Sequence, residues 1–145
     1  MSELEDDIRK EIEDVHRFFV AWFTGTAAEA DLDTVFVPRL DEQVFFISPD
    51  GRRLGRDGLL AMFRGAHGNN PAFRIAIRDV KILRDVGDHL VVTYTEWQKG
   101  AKASSQSDNA RFTTLLVTKA QPFRWLHIHE TWLPEAERAK GSFDF

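Results

Sequence analysis

The stretch FRWLHIHETWLPE, Phe123 to Glu135, sets His127 and His129 two residues apart with Glu130 directly after them. Imidazoles at that spacing on a strand can reach one metal ion, and a carboxylate beside an imidazole is an acid–base set. The pleat divides the group. Successive side chains of a strand alternate faces, so Trp125, His127, His129 and Thr131 share one face and Leu126, Ile128, Glu130 and Trp132 the other. The second set is apolar except for its carboxylate, which makes it the face turned to the core. The histidines then look outward with Trp125, onto a semi-polar face suited to another subunit. A zinc site needs a third protein ligand for catalysis and usually a fourth for structure. With no Cys, and with His16, His67 and His89 at no telling spacing, neither a metal nor a cofactor is expected.

Glu130 is the stronger chemical candidate. Between Ile128 and Trp132 it is desolvated, which raises a carboxyl pKa towards general acid or base use, unless an arginine pairs with it. In HLVVTYTEWQ the two faces are Val92, Tyr94, Glu96, Gln98 and Val91, Thr93, Thr95, Trp97. With the first set inward, Tyr94 and Glu96 give a cavity a donor and a base. With the second inward, Trp97 is core, and Tyr94 and Glu96 are solvated or at an interface. Arg111 can neutralise Glu96 or Glu130 across the sheet, bind an anionic substrate, or be surface charge. In RRLGR, Arg52, Arg53 and Arg56 match no phosphate-loop spacing and read as surface charge. Asp57 falls where the next helix needs an N-cap, and His67 where its C-terminal dipole takes a partner.

These residues need elements to hold them. Ser2 and Glu5 form a capping box, after which Ile8, Ile12, Val15, Phe19 and Trp22 mark one face of a helix ending near Gly25. A shorter helix is predicted from after Thr26 towards Phe36, stopped by Pro38. QVFFISPDG is a strand closed by a turn, and RDGLLAMFRGAHG a short helix that Gly68 stops. From residue 72 the pattern is strands alone. Phe73, Ile75 and Ile77 alternate, and Val80 and Ile82 follow after a slip that predicts a bulge. HLVVTYTEWQ, ARFTTLLVT and FRWLHIHETWL complete the set, with GAKASSQSDNA as a polar hairpin loop. Helices first and antiparallel strands after is an α+β arrangement.

At 145 residues the chain is long enough for one core, so residues 1–145 are read as one domain. Residues 134–145 form a charged, then aromatic tail that is either loose or docked through Phe143 and Phe145 on the body or a partner. Twelve Phe and four Trp in so short a chain imply a bulky core, a lined cavity or an aromatic oligomer face. A formal net charge of −4 argues against nucleic acid. No apolar run approaches the ~20 residues that span a bilayer, and the acidic start has no signal core, so the cytoplasm is expected.

EIEDVHRFFVAWFTG, FFISPDGRRLGRDGLLAMFR and WLHIHETW, in that order, resemble the SnoaL-like branch of the nuclear transport factor two-like superfamily. That branch includes ketosteroid isomerases and polyketide cyclases, and the resemblance covers roughly residues 8–133. It implies a cone-shaped α+β fold, a curved, mainly antiparallel sheet around the long helix, and a pocket at the open end. It also implies that the outer sheet face, with Trp125, His127 and His129, packs on a second subunit as a homodimer. The general base of ketosteroid isomerases is an Asp immediately before the turn Pro, where this chain has Ser48. Their Tyr donor falls at Phe18. Steroid isomerisation is therefore not expected.

A small organic ligand is expected, contacted by Trp22, Phe18, Ser48, Trp132 and Arg111. If the protein is an enzyme, the resemblance implies cofactor-free isomerisation, cyclisation or dehydration. Glu130 or Glu96 would carry the proton, and Tyr94 or Ser48 would donate to an enolate-like oxygen. The alternative is a non-catalytic ligand-binding or assembly module, like the association domain of calcium/calmodulin-dependent kinase.

Overall fold

A computed structural model describes residues 2–102 and 104–145. The first helix, α1 (Glu3–Thr24), opens where the Ser2 hydroxyl accepts from the Glu5 amide, with Glu3, Glu5 and Asp6 in the positive first turn. Ile8, Ile12, Val15, Phe18 and Trp22 are buried along it, each such side chain stabilising the fold by about 1.5–3 kcal/mol. It stops at Gly25, whose φ of 87° is open to glycine at little steric cost. The Trp22 carbonyl accepts from both Gly25 and Gly68, and these glycines pack so closely that a Cβ on Gly25 would lie 3.2 Å from the Gly68 Cα.

The second helical segment is shorter than predicted, a π turn over Leu32–Phe36 and a 3-10 turn over Val37–Arg39 that contains Pro38. Then come β1 (Leu40–Ile47), β2 (Arg53–Gly55) and α2 (Arg56–Arg64). Gly55 is the N-cap of α2 and Asp57 makes no capping bond, lying inside the first turn where its charge still favours the dipole. The helix closes at Gly65, not Gly68. His67, beyond the end, bonds the Ala27 carbonyl at 2.7 Å and packs on Trp22, so it ties two loops together instead of serving the dipole.

The rest is β3 (Arg74–Asp85), β4 (His89–Lys99), β5 (Asn109–Thr118), β6 (Trp125–Trp132) and a last turn, α3 (Glu135–Arg138). The strands form one six-stranded sheet in the order β2-β1-β6-β5-β4-β3. It is antiparallel except for the β1–β6 pair. The sheet is curved and unclosed, and α1 lies in its concave face. The slip in β3 is there. Its register with β4 shifts between Arg78 and Lys81, around Asp79 at φ 58°. The tail is docked: Phe143 packs edge-on against Trp97, and Arg78 lies over both Trp97 and Phe145. No helix among the described residues is long and apolar enough to cross a membrane.

Candidate functional site

Register puts the polar groups in rows. On the inner face, Thr113 of β5 stands between Tyr94 of β4 and Glu130 of β6. One row on, Arg111 stands between Glu96 and Trp132, and Gln98 pairs with Asn109 in the next. Tyr94, Glu96, Gln98, Asn109, Arg111, Thr113 and Glu130 are all buried. Buried polar groups of this kind must satisfy one another, and they do. Arg111 donates to Glu130 Oε1 at 3.0 Å, to Gln98 Oε1 at 3.1 Å and to Asn109 Oδ1 at 3.0 Å. Gln98 Nε2 donates to Glu96 Oε2 at 2.6 Å, and Asn109 donates to Gln98 Oε1.

The other partner of Glu96 comes from α1. His16 Nε2 lies 3.0 Å from Glu96 Oε1, while Nδ1 lies 2.7 Å from the Ile12 carbonyl. A carbonyl only accepts, so Nδ1 carries a proton, and an ionised Glu96 requires a second on Nε2. His16 is then an imidazolium. Burial opposes that charge, but the charge of Glu96 and its hydrogen bond outweigh it and raise the His16 pKa. Glu96 answers in kind: burial would raise its pKa, yet His16 pulls it down to about 2. Glu130 goes the other way. Burial and then the Glu96 charge push it up to about 7, against the pull of Arg111. The Tyr94 phenol is pushed well up by burial and then by both carboxylates, so it stays protonated.

These groups edge a cavity of about 360 Å³. Half of the chain's twelve phenylalanines line it: Phe19, Phe23, Phe36, Phe46, Phe63 and Phe73. Of the site residues predicted from the sequence, Glu130, Glu96, Tyr94, Ser48, Trp132 and Arg111 line the cavity. The Ser48 hydroxyl accepts from the Arg52 amide and closes the turn after β1. Trp132 donates its indole N–H to Asp50 and lies under the Arg111 guanidinium.

Trp22 and Phe18 are placed elsewhere. Trp22 is 2% exposed and bonds the Phe63 carbonyl, and Phe18 packs between Trp22 and Phe36 in the core. A helix turns about 100° per residue, and the face of α1 that meets the cavity is the one carrying His16, Phe19 and Phe23. Trp125 also corrects the parity reading. The register of β6 against β5 slips between Leu116 and Val117, so Leu126 is an extra residue and Trp125 turns inward. It is 3% exposed and donates to Glu11, so it takes no place on the outer face.

His127 and His129 do lie outward, with His127 stacked on Phe45. Among the described residues no group of three or more metal-ligating side chains gathers. His16 was missed as an acid–base residue, and its only sequence signal was its place on the apolar face, four residues after Ile12.

Residues 15–133 match the model of the SnoaL-like domain family. No curated protein matches the chain. Among solved structures, an NTF2-like protein of unknown function from Pseudomonas aeruginosa is 25% identical, with a TM-score of 0.76 over 88% of this chain and 98% of that one. The association domain of C. elegans CaMKII is 12% identical, with a TM-score of 0.60 over 90% of this chain and 99% of that one. A candidate dehydratase of the NTF2-like family from Streptomyces avermitilis is 19% identical, with a TM-score of 0.51 over 63% of this chain and 66% of that one. These last two likenesses carry the fold alone. By the family match and the cavity-bearing curved sheet around α1, this chain belongs to the SnoaL-like family and has the NTF2-like fold.

Proposed function

We propose that the protein binds a small organic molecule in its phenylalanine-lined cavity and performs cofactor-free acid–base chemistry on it, as an isomerase, cyclase or dehydratase. The observation that carries this is Glu130, a carboxyl 5% exposed at the cavity wall and held at about 7, with a phenol that keeps its proton two strands away in the same row. A carboxylate of that pKa is a stronger base than an ordinary one and is still partly ionised at neutral pH. It can take a proton from a carbon next to a carbonyl and return it elsewhere on the ligand. Tyr94 donates to the oxygen that gains charge meanwhile. Glu96, locked to His16, stays ionised and keeps the Glu130 pKa high. Ser48 lines the same cavity as a further hydroxyl.

The test is solvent deuterium exchange into a panel of enolisable ketones and β-hydroxy carbonyl compounds, followed by mass spectrometry. Protein-dependent incorporation or loss of water, abolished by Glu130→Gln, is expected. Turnover that survives Glu130→Gln, or none across the panel, overturns the reading.

A second reading concerns the opposite sheet face. Phe45 and Phe112 are 36% and 39% exposed there, near Leu116, His127 and His129. Exposed aromatics on a sheet face favour a homodimer through that surface.

A further inference from the structure

The chain is acidic, with a formal charge of −4, yet the mouth of its cavity is not. The charged groups there are Arg52 on the turn between β1 and β2, Lys102 on the loop between β4 and β5, and Asp50. Asp50 accepts the Trp132 indole N–H, and Lys102 donates to the Asn69 carbonyl. The Arg52 guanidinium has no hydrogen-bond or ion-pair partner among the described residues, although its backbone is fixed by Ser48. The depth of the cavity differs in kind. There His16 is matched with Glu96, and Arg111 with Glu130, so each buried charge already has its partner. An unpaired charge pushed into that depth would cost several kcal/mol. The Arg111 end of this network reaches the mouth through Trp132, which bonds Asp50, and phenylalanines with Met62 line the rest of the wall.

We propose that the ligand is an amphipathic anion, an apolar ring-bearing body with one carboxylate-type headgroup held at the mouth between Arg52 and Lys102. The body enters first, among Phe19, Phe46, Met62 and Phe63. The headgroup stays at the surface, where the planar guanidinium fork fits a carboxylate and the ammonium adds a point charge. A cationic mouth on an acidic protein also gathers anions that the rest of the surface repels. This orientation leaves the carbons next to the ring system, not the headgroup, against Glu130 and Tyr94. It names the ligand class for the proposed cavity site and so rests on that reading.

The experiment titrates the full chain with a naphthalene carboxylate and its isosteric neutral carboxamide, following tryptophan fluorescence and calorimetry at low and high ionic strength. The carboxylate is expected to bind about tenfold more tightly, with the preference shrinking as salt screens the mouth. Arg52→Gln with Lys102→Gln, both at exposed loop positions, is expected to abolish the preference and leave the carboxamide within about twofold. Equal binding of the two probes, or a preference that survives the double substitution, overturns the anionic class while the cavity reading stands. Failure of both probes to bind overturns both.

Discussion

Glu96 and Glu130 are one residue type on one sheet face, and only their neighbours set them apart. Glu96 meets an imidazolium, whereas Glu130 must share a buried space with the charge of Glu96. That difference has a thermodynamic consequence. A carboxyl whose folded pKa is about 7 and whose ordinary value is 4.5 adds stability below pH 4.5, and loses it as the pH rises through 7. The loss amounts to about 3 kcal/mol between acid and mildly alkaline pH. Glu130→Gln removes it, so the stability difference between variant and parent should grow in the variant's favour by about that amount. Denaturant unfolding at a pH near 4 and near 8 measures the change, and a flat difference would mean that Glu130 titrates normally. The sequence made Glu130 legible because alternation holds along β6 from His127 to Trp132. It did not make His16 legible, since a histidine on an apolar helix face looks the same whether it fills space or pairs with a carboxylate 80 residues away.

At the scale of elements, what could be read were local periodicities and what could not were local slips. The apolar spacing of α1, the alternation of β4 and the bulge in β3 all leave marks in the sequence. The azimuth of α1 does not, because core residues such as Phe36 and Phe63 also line the cavity, so no change of polarity marks the side that meets it, and a one-residue shift exchanges Phe18 for Phe19. Nor does the extra residue in β6, which turned Trp125 inward against the alternation rule. No local pattern in the tail distinguishes a loose segment from a docked one; its packing on the sheet does. Gly141 lies flat on Trp97, so close that a Cβ there would come within 2.2 Å of the indole. The Ser142 carbonyl accepts from Arg78, and that of Phe145 from Lys99. Gly141→Ala must therefore lift the tail from Trp97, which is only 4% exposed with the tail in place. A red-shifted tryptophan emission is expected, with a stability loss of about 1–2 kcal/mol. Unchanged emission would show that the tail does not rest on Trp97 in solution.

The whole molecule divides its sheet between two tasks, with the concave face given to α1 and the cavity and the convex face to the outside. The tail protects Trp97 at one end of the convex face and leaves Phe45, Phe112, Leu116 and the His127–His129 pair uncovered. A sheet centre that keeps aromatic side chains in water gains by burying them against a copy of itself. A two-fold axis through the face would suffice, since a stable interface needs only about 800 Å² from each partner. Sedimentation should therefore give twice the chain mass of 16.6 kDa near neutral pH. Phe45→Asp with Phe112→Asp should return the monomer, since two carboxylates facing two others across the axis repel each other without an apolar gain. The cavity lies on the other face, so the monomeric variant should still bind its ligand. A parent that sediments as a monomer at micromolar concentration, or a variant that remains a dimer, would remove the convex face as the assembly surface.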